Sequence, residues 1–161
     1  TKLHKFIEDF YNGVSDLPFI TDEAVKQFAR FYENHRHLAL YRAEWVVFDT
    51  ELKLAGSIDM VFRDTDGNFH IYDWKRTPKL WRNKKYETYC NQTGLDHIPN
   101  TNYWHYALQL NLYRTILERN YSISIKSMNL VCMHPEITDY QVHRVEEMND
   151  ELKVLFNQTI V

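Results

Sequence analysis

Two carboxylates stand inside segments otherwise written in apolar letters. Asp59 lies in Gly56-Ser57-Ile58-Asp59-Met60-Val61-Phe62, and Asp73 lies in Ile71-Tyr72-Asp73-Trp74-Lys75. Both segments read as strands, rich in Val, Ile, Phe and Trp. A charge within such a strand is costly to bury unless it is paired or ligates a metal. The link between the strands decides how the two acids meet. A two-residue loop at Asp66-Gly67 pairs Asp59 with Trp74 and sends the acids to opposite faces. A three-residue loop, Thr65-Asp66-Gly67 with Gly67 left-handed in a bulge, pairs Asp59 with Asp73 on one face. Their side chains then start about 5 Å apart. Like charges so placed repel, and a divalent cation between them removes the penalty, so the second register is expected. Lys75, two residues past Asp73, shares its face.

The surrounding pattern supplies helices for both faces of a sheet. Leu3, Phe6, Ile7, Phe10 and Val14 recur at helical spacing until Gly13, Ser15 and Pro18 interrupt them. A second helix is expected from a cap at Thr21 or Asp22 to about residue 38, with Ala24, Val25, Phe28, Phe31 and Tyr32 inward. Strands follow at 44–50, Leu54–Arg63 and Phe69–Lys75. Residues 77–101, with Pro78, Gly94 and Pro99, read as a long loop holding one short helix. A helix over 102–119 on the apolar positions Tyr106, Leu110, Tyr113 and Leu117, a strand over 123–133, an edge strand over 140–145 and a helix over 146–158 complete the order. The expected class is α/β: one domain over 1–161, with a central mixed sheet flanked by helices. The absence of an initiator Met before the helical pattern suggests a domain trimmed from a longer chain.

Composition narrows the classes of function. No apolar run approaches the roughly 20 residues of a membrane span, and no membrane partner is expected. Only Cys90 and Cys132 are present, too few for a four-cysteine metal site, and a reducing, intracellular compartment is the default. The net charge of −3 argues against a nucleic-acid binder, but its distribution argues for one. Lys75, Arg76, Lys79, Arg82, Lys84 and Lys85 fall within eleven residues that contain no acid, and the rest of the chain then holds 13 basic against 22 acidic residues. A basic strip on an acidic body grips phosphates locally; a solvated loop is the alternative. Aromatic residues make up 15% of the chain. Trp81, Tyr86 and Tyr89 interleave with the strip, and Tyr103 and Trp104 follow it. Rings beside cations suit single strands, whose bases stack while their phosphates pair. The same tryptophans could instead pack the loop onto the body.

The pattern Gly56-x-x-Asp59, a short hairpin and Asp73-x-Lys75 resembles the PD-(D/E)XK nuclease superfamily, with its restriction-endonuclease-like core. It is most similar to the RecB-type exonuclease branch, which includes CRISPR-adaptation and mitochondrial genome-maintenance exonucleases. His4-Lys5-Phe6-Ile7-Glu8 is similar to that branch's first-helix motif, and Glu44 opens the first expected strand, where relatives carry an acid. Gln109-Leu110-Asn111-Leu112-Tyr113 matches its Q-x-x-x-Y helix motif. An Asp stands at position 73 where many relatives have Glu.

The resemblance implies metal ligands at His4, Asp59 and Asp73, with the Trp74 carbonyl completing the set and Lys75 as catalytic lysine. Oxygen ligands suit Mg²⁺ or Mn²⁺, and the imidazole tilts the choice to Mn²⁺. Gln109 and Tyr113, four apart on one helix face, are implied to border the active site. Glu8 is expected to orient His4 or bind a metal-held water, and Glu44 to act as an outer ligand or as a partner for Lys75 or an arginine. Arg76, Lys79, Trp81, Arg82, Lys84 and Lys85 are the expected nucleic-acid contacts. Several relatives carry an iron–sulfur cluster on four cysteines; this chain is expected to lack it. The implied activity is hydrolysis of DNA phosphodiesters by metal-activated water, as an exonuclease preferring single strands or free ends. Association with a helicase, replication or recombination machine is in keeping with it. Two alternatives stand beside it: a cap-snatching-type endonuclease acting on RNA, and a non-catalytic nucleic-acid-binding module.

Overall fold

The computed structural model describes residues 1–18, 21–82 and 88–159. Nine elements follow one another: α1 (Lys2–Tyr11), α2 (Glu23–Asn34), β1 (Ala39–Asp49), β2 (Leu54–Arg63), β3 (Phe69–Lys75), α3 (Asn102–Asn120), β4 (Ile125–Cys132), β5 (Gln141–Val145) and α4 (Asn149–Thr159). The strands form one sheet in the order β1-β2-β3-β4-β5. The β3–β4 pair is parallel and the other pairs are antiparallel. This is the mixed sheet flanked by helices that the sequence implies.

Each face of the sheet buries a separate apolar layer. Leu3 and Ile7 of α1 and Phe28 and Phe31 of α2 pack on Met60, Phe62, Tyr72, Trp74 and Val131. On the other face, Tyr103, Leu110, Tyr113 and Leu117 of α3 pack on Val47, Ile58, Val61, Ile71 and Leu130. The long connection between β3 and α3 joins this second layer through Leu80, Leu95 and Ile98. Tyr89 and Pro99 bridge across it, and among its described residues there is no helix, against the short one expected.

Three boundaries differ from the sequence reading, each for a local reason. β1 begins at Ala39, not residue 44, because Ala39 and Leu40 pair with Arg63 and Phe62 of β2 across a bulge before Arg42. Partner strands there override the helix-forming letters of Leu38 to Ala43. α2 stops at Asn34 because the His35 ring donates from Nδ1 to the Phe31 carbonyl at 2.7 Å, closing the last turn. α4 starts only at Asn149. The Asn111 side chain accepts the Met148 N–H at 2.8 Å and donates to the Glu146 carbonyl at 3.0 Å, which holds that stretch extended against α3.

Candidate active site

β3 ends in Asp73-Trp74-Lys75, where β2 and β3 separate. The hairpin has the expected register: Met60 pairs with Tyr72 and Phe62 with His70. Asp64 and Asn68 close the loop around Thr65-Asp66-Gly67, and Gly67 is left-handed with φ +84°. Asp59 and Asp73 would be the next pair. There the Asp59 carboxylate replaces the ladder, its Oδ2 accepting the Trp74 N–H at 2.9 Å. The two carboxylates lie near enough for the Asp59 charge to act on Asp73.

Glu44 stands opposite Asp59, between the pairs Ala43–Met60 and Trp45–Ile58. It is in mid-strand, not at the strand's opening as expected, with φ +44°. A non-glycine residue in this region costs roughly 1–2 kcal/mol. At the same point β2 breaks its alternation: Ile58 joins the α3 layer, while Met60 joins the α1–α2 layer. Asp59 is therefore set at the seam between the two layers.

α1 completes the cluster. His4 Nε2 lies 2.7 Å from the Trp74 carbonyl oxygen and 3.3 Å from Asp59 Oδ2, and Nδ1 meets Thr1 Oγ1. The hydrogen bond to Asp59 raises the imidazole pKa despite partial burial. Burial pushes the Asp59 carboxyl up, but the contacts from His4 and the Trp74 N–H outweigh it and hold the acid low. Asp73 is buried and goes the other way, raised by burial first and by the Asp59 charge second. Glu44 accepts from the Ser57 hydroxyl at 3.4 Å; burial raises its carboxyl, as do the charges of Asp59 and Glu8. Glu8 itself lies 3.6 Å from Lys5 Nζ.

Lys75 Nζ sits 2.7 Å from Asp73 Oδ2. The approach is Coulombic and off the angles of a good hydrogen bond, so that buried oxygen has no well-formed donor. Beneath the acids, the Tyr113 ring covers Gly56. A β-carbon added there would lie 2.4 Å from Tyr113 Cε1. Burial, then the nearby Asp73 and Asp59 charges, raises the Tyr113 hydroxyl. Gln109, four residues earlier, is exposed, so the two motif residues do not share an environment. The sequence reading took Tyr106 only as an apolar helix position, yet Lys75 Nζ stands 4.0 Å from its ring centroid. The signal was present, since Tyr106 lies seven residues before Tyr113 and so on the same helix face.

The basic strip is partly neutralised in place. Arg76 pairs with Asp22 at 3.0 Å, and Arg82 pairs with Glu146 at 3.0 Å. Arg82 also lies over the rings of Tyr103 and Trp104, at 4.4 and 5.2 Å. Lys79 Nζ sits 4.0 Å over Trp81. Asn102, at the start of α3, ties this stretch down by accepting the Trp81 N–H at 2.8 Å and donating to the Lys79 carbonyl at 3.3 Å. Trp104 packs partly buried against the core, whereas Trp81 remains 43% exposed. Lys84, Lys85 and Tyr86 lie outside the described residues.

The donors suit a hard or borderline divalent cation: one imidazole nitrogen, two carboxylates and a carbonyl oxygen converge. Among the described residues, no three His, Cys, Asp or Glu side chains are arranged as a ready ligand cluster. The donors satisfy one another instead: His4 turns to Trp74 and Asp59, and Lys75 turns to Asp73. Asp73 Oδ2 is buried without a formed hydrogen bond and lies beside the half-buried Asp59 carboxylate. The ammonium at Asp73 and the imidazole at Asp59 leave oxygen lone pairs that a divalent cation can take up.

A model of the PD-(D/E)XK nuclease superfamily matches residues 5–159. The chain belongs to this superfamily, whose members hydrolyse phosphodiester bonds with divalent metal ions, typically Mg²⁺ or Mn²⁺. No curated protein matches the sequence. Among solved structures, one from Eubacterium rectale named "Putative exonuclease" superposes with a TM-score of 0.56 at 13% identity, covering 98% of this chain and 62% of the other. The chain thus spans about three fifths of that relative's length, and at this identity the likeness is one of fold. No described helix is long and apolar enough to cross a membrane.

Proposed function

We propose that this domain is a metal-dependent deoxyribonuclease of the RecB-type branch, lacking an iron–sulfur cluster, which removes nucleotides from strand ends and prefers single strands. The observation that carries the reading is buried Asp73 beside half-buried Asp59, with Lys75 Nζ 2.7 Å from Asp73. His4, Asp59, Asp73 and the Trp74 carbonyl would hold Mn²⁺ or Mg²⁺. When bound, the cation supplies Lewis acidity toward the phosphodiester and lowers the pKa of water.

The chain's own residues do the rest. The Lys75 ammonium stabilises negative charge developing on the phosphate and orients the attacking water. Tyr113 holds β2 beneath the acids through its contact with Gly56. Gln109, exposed one turn away from Tyr113, meets the nucleic-acid backbone in this reading. Glu8 and Glu44 keep the field around His4 and Asp59 negative and so favour a cation. Trp81, exposed and anchored by Asn102, offers a stacking surface with Lys79 above it. Arg76, Arg82, Lys84 and Lys85 complete the phosphate track. An exonuclease role accords with the name of the Eubacterium rectale relative. A domain of this size fits as part of a larger DNA-processing machine in a reducing compartment.

The test is cleavage of linear single-stranded, linear duplex and circular DNA, and of RNA, with Mn²⁺ present. Linear single strands are expected to be degraded fastest and circles to survive. Asp73→Ala and Lys75→Ala are each expected to lose activity by at least about a hundredfold with circular dichroism unchanged. Full activity in either variant would refute the site assignment.

A further inference from the structure

The structure sets the face of the Tyr106 ring against the Lys75 ammonium, on which Asp73 also closes. Nζ lies 4.0 Å from its ring centroid and 2.7 Å from Asp73 Oδ2. Lys75 is mostly withdrawn from solvent, with 19% of its side chain exposed, so a cation–π contact here acts where water competes little. We propose that Tyr106 is a positioning residue for Lys75: its ring holds the ammonium beside the scissile phosphate when Asp73 is occupied with a cation. The inference rests on the nuclease reading above and adds a residue to it.

The need for such a residue follows from the geometry. A cation on Asp73 Oδ2 would share that oxygen with Lys75 and draw off part of the negative charge that holds the ammonium. Asp73 then holds Nζ more weakly, and the ammonium is repelled by the same cation. A lysine has four rotatable carbon–carbon bonds, and holding one rotamer without a partner costs up to about 2 kcal/mol. A ring face supplies attraction without charge. It does not compete for the cation, and it leaves all three N–H groups of Lys75 free to point at phosphate oxygens or water. Tyr106 is itself fixed. It is half-buried on α3, one helical face with Tyr113, and packs on the same core layer.

The distinguishing experiment varies ring electronics at constant shape. Phe and stepwise fluorinated phenylalanines are placed at position 106, and kcat, KM for a linear single strand and the Mn²⁺ midpoint are measured together. Tyr106→Phe is expected to keep kcat within about twofold of the parent. Each added fluorine should lower kcat in steps to about tenfold at the pentafluoro ring, with KM, the Mn²⁺ midpoint and Tm unmoved. Tyr106→Leu should behave like the pentafluoro ring. A kcat indifferent to fluorination overturns the proposal, as does a change confined to KM, which would make the ring a base-stacking surface. If the parent protein cleaves nothing while binding Mn²⁺, the nuclease reading itself has failed, a result distinct from a cleaving series with flat kcat.

Discussion

Tyr113 lies so close over Gly56 that a β-carbon at position 56 would come within 2.4 Å of its Cε1. The two residues are far apart in sequence but share one contact, at the point where β2 leads into Asp59. Glycine is required here by the approach of a ring, since nothing marks its backbone as left-handed.

Gly56→Ala should therefore act through Tyr113. Overpacking of this kind costs about 1–3 kcal/mol, and the displaced ring should reduce cleavage as well as stability. Tyr113→Ala makes room for the methyl group, so the double variant should be more stable than the two single losses added together. Urea midpoints of the four proteins test this. Strict additivity would mean the ring and the backbone do not meet.

Mn²⁺ should stabilise the fold by mass action. At a free concentration a hundred times its Kd the gain is about 2.7 kcal/mol, a rise in Tm of about 5–10 °C for a chain of this size. Asp73→Asn, which keeps the shape and removes the charge, should abolish the rise. A Tm shift of the same size in that variant would place the cation elsewhere.

Trp81→Ala should weaken single-strand binding by about 1–3 kcal/mol, and should affect duplex binding much less. Fluorescence anisotropy with labelled oligonucleotides in Ca²⁺ reads both. Equal losses on the two substrates would reduce Trp81 to a structural ring of the β3–α3 connection.

Asp64 gives a pH dependence unconnected with the acids of the site. Its Oδ2 accepts from His70 Nε2 at 2.8 Å, and Oδ1 accepts the Asp66 and Asn68 N–H groups at 2.9 Å each. The His70 contact foremost holds its carboxyl at about 2, below the ordinary value. A lowered folded pKa means a contribution present above the unfolded value of about 4 and lost as pH falls toward 2. In Asp64→Asn the stability deficit measured at pH 6 should shrink progressively between pH 4 and pH 2. A deficit constant over that window would show that the carboxylate charge plays no part in closing the turn.

Much of the architecture was legible because its signals were local. The β2–β3 hairpin was readable to the residue: Asp66-Gly67 gave the turn, and the repulsion of two acids selected the register. β1 was not, since Ala39 to Ala43 become a strand only by pairing with the far end of β2, a long-range effect that no window of sequence contains. The start of α4 was hidden for the same reason, being set by Asn111 thirty-odd residues earlier. At the site, Asp59 and Asp73 stood out as acids in an apolar setting and Lys75 by its spacing from Asp73, whereas His4 was singled out only by the resemblance of the first-helix motif. The partners of Arg76 and Arg82 are Asp22, the cap before α2, and Glu146, just after β5, and the sequence offers no spacing that connects them. Tyr106 was visible as a helix position and silent as a neighbour of Lys75.

β3 ends on Lys75, and the next paired residues belong to the crossover that carries the chain to α3 and on to β4, the parallel neighbour of β3. One side of the site is thus locked into the ladder, while the other is a connection held to the body through Leu80, Leu95 and Ile98, so that its exposed positions can change without breaking a strand pairing. Exchanging exposed Trp81 and its neighbours while keeping those three apolar anchors should therefore alter what the surface grips and leave the strand ends that carry Asp59, Asp73 and Lys75 as they are.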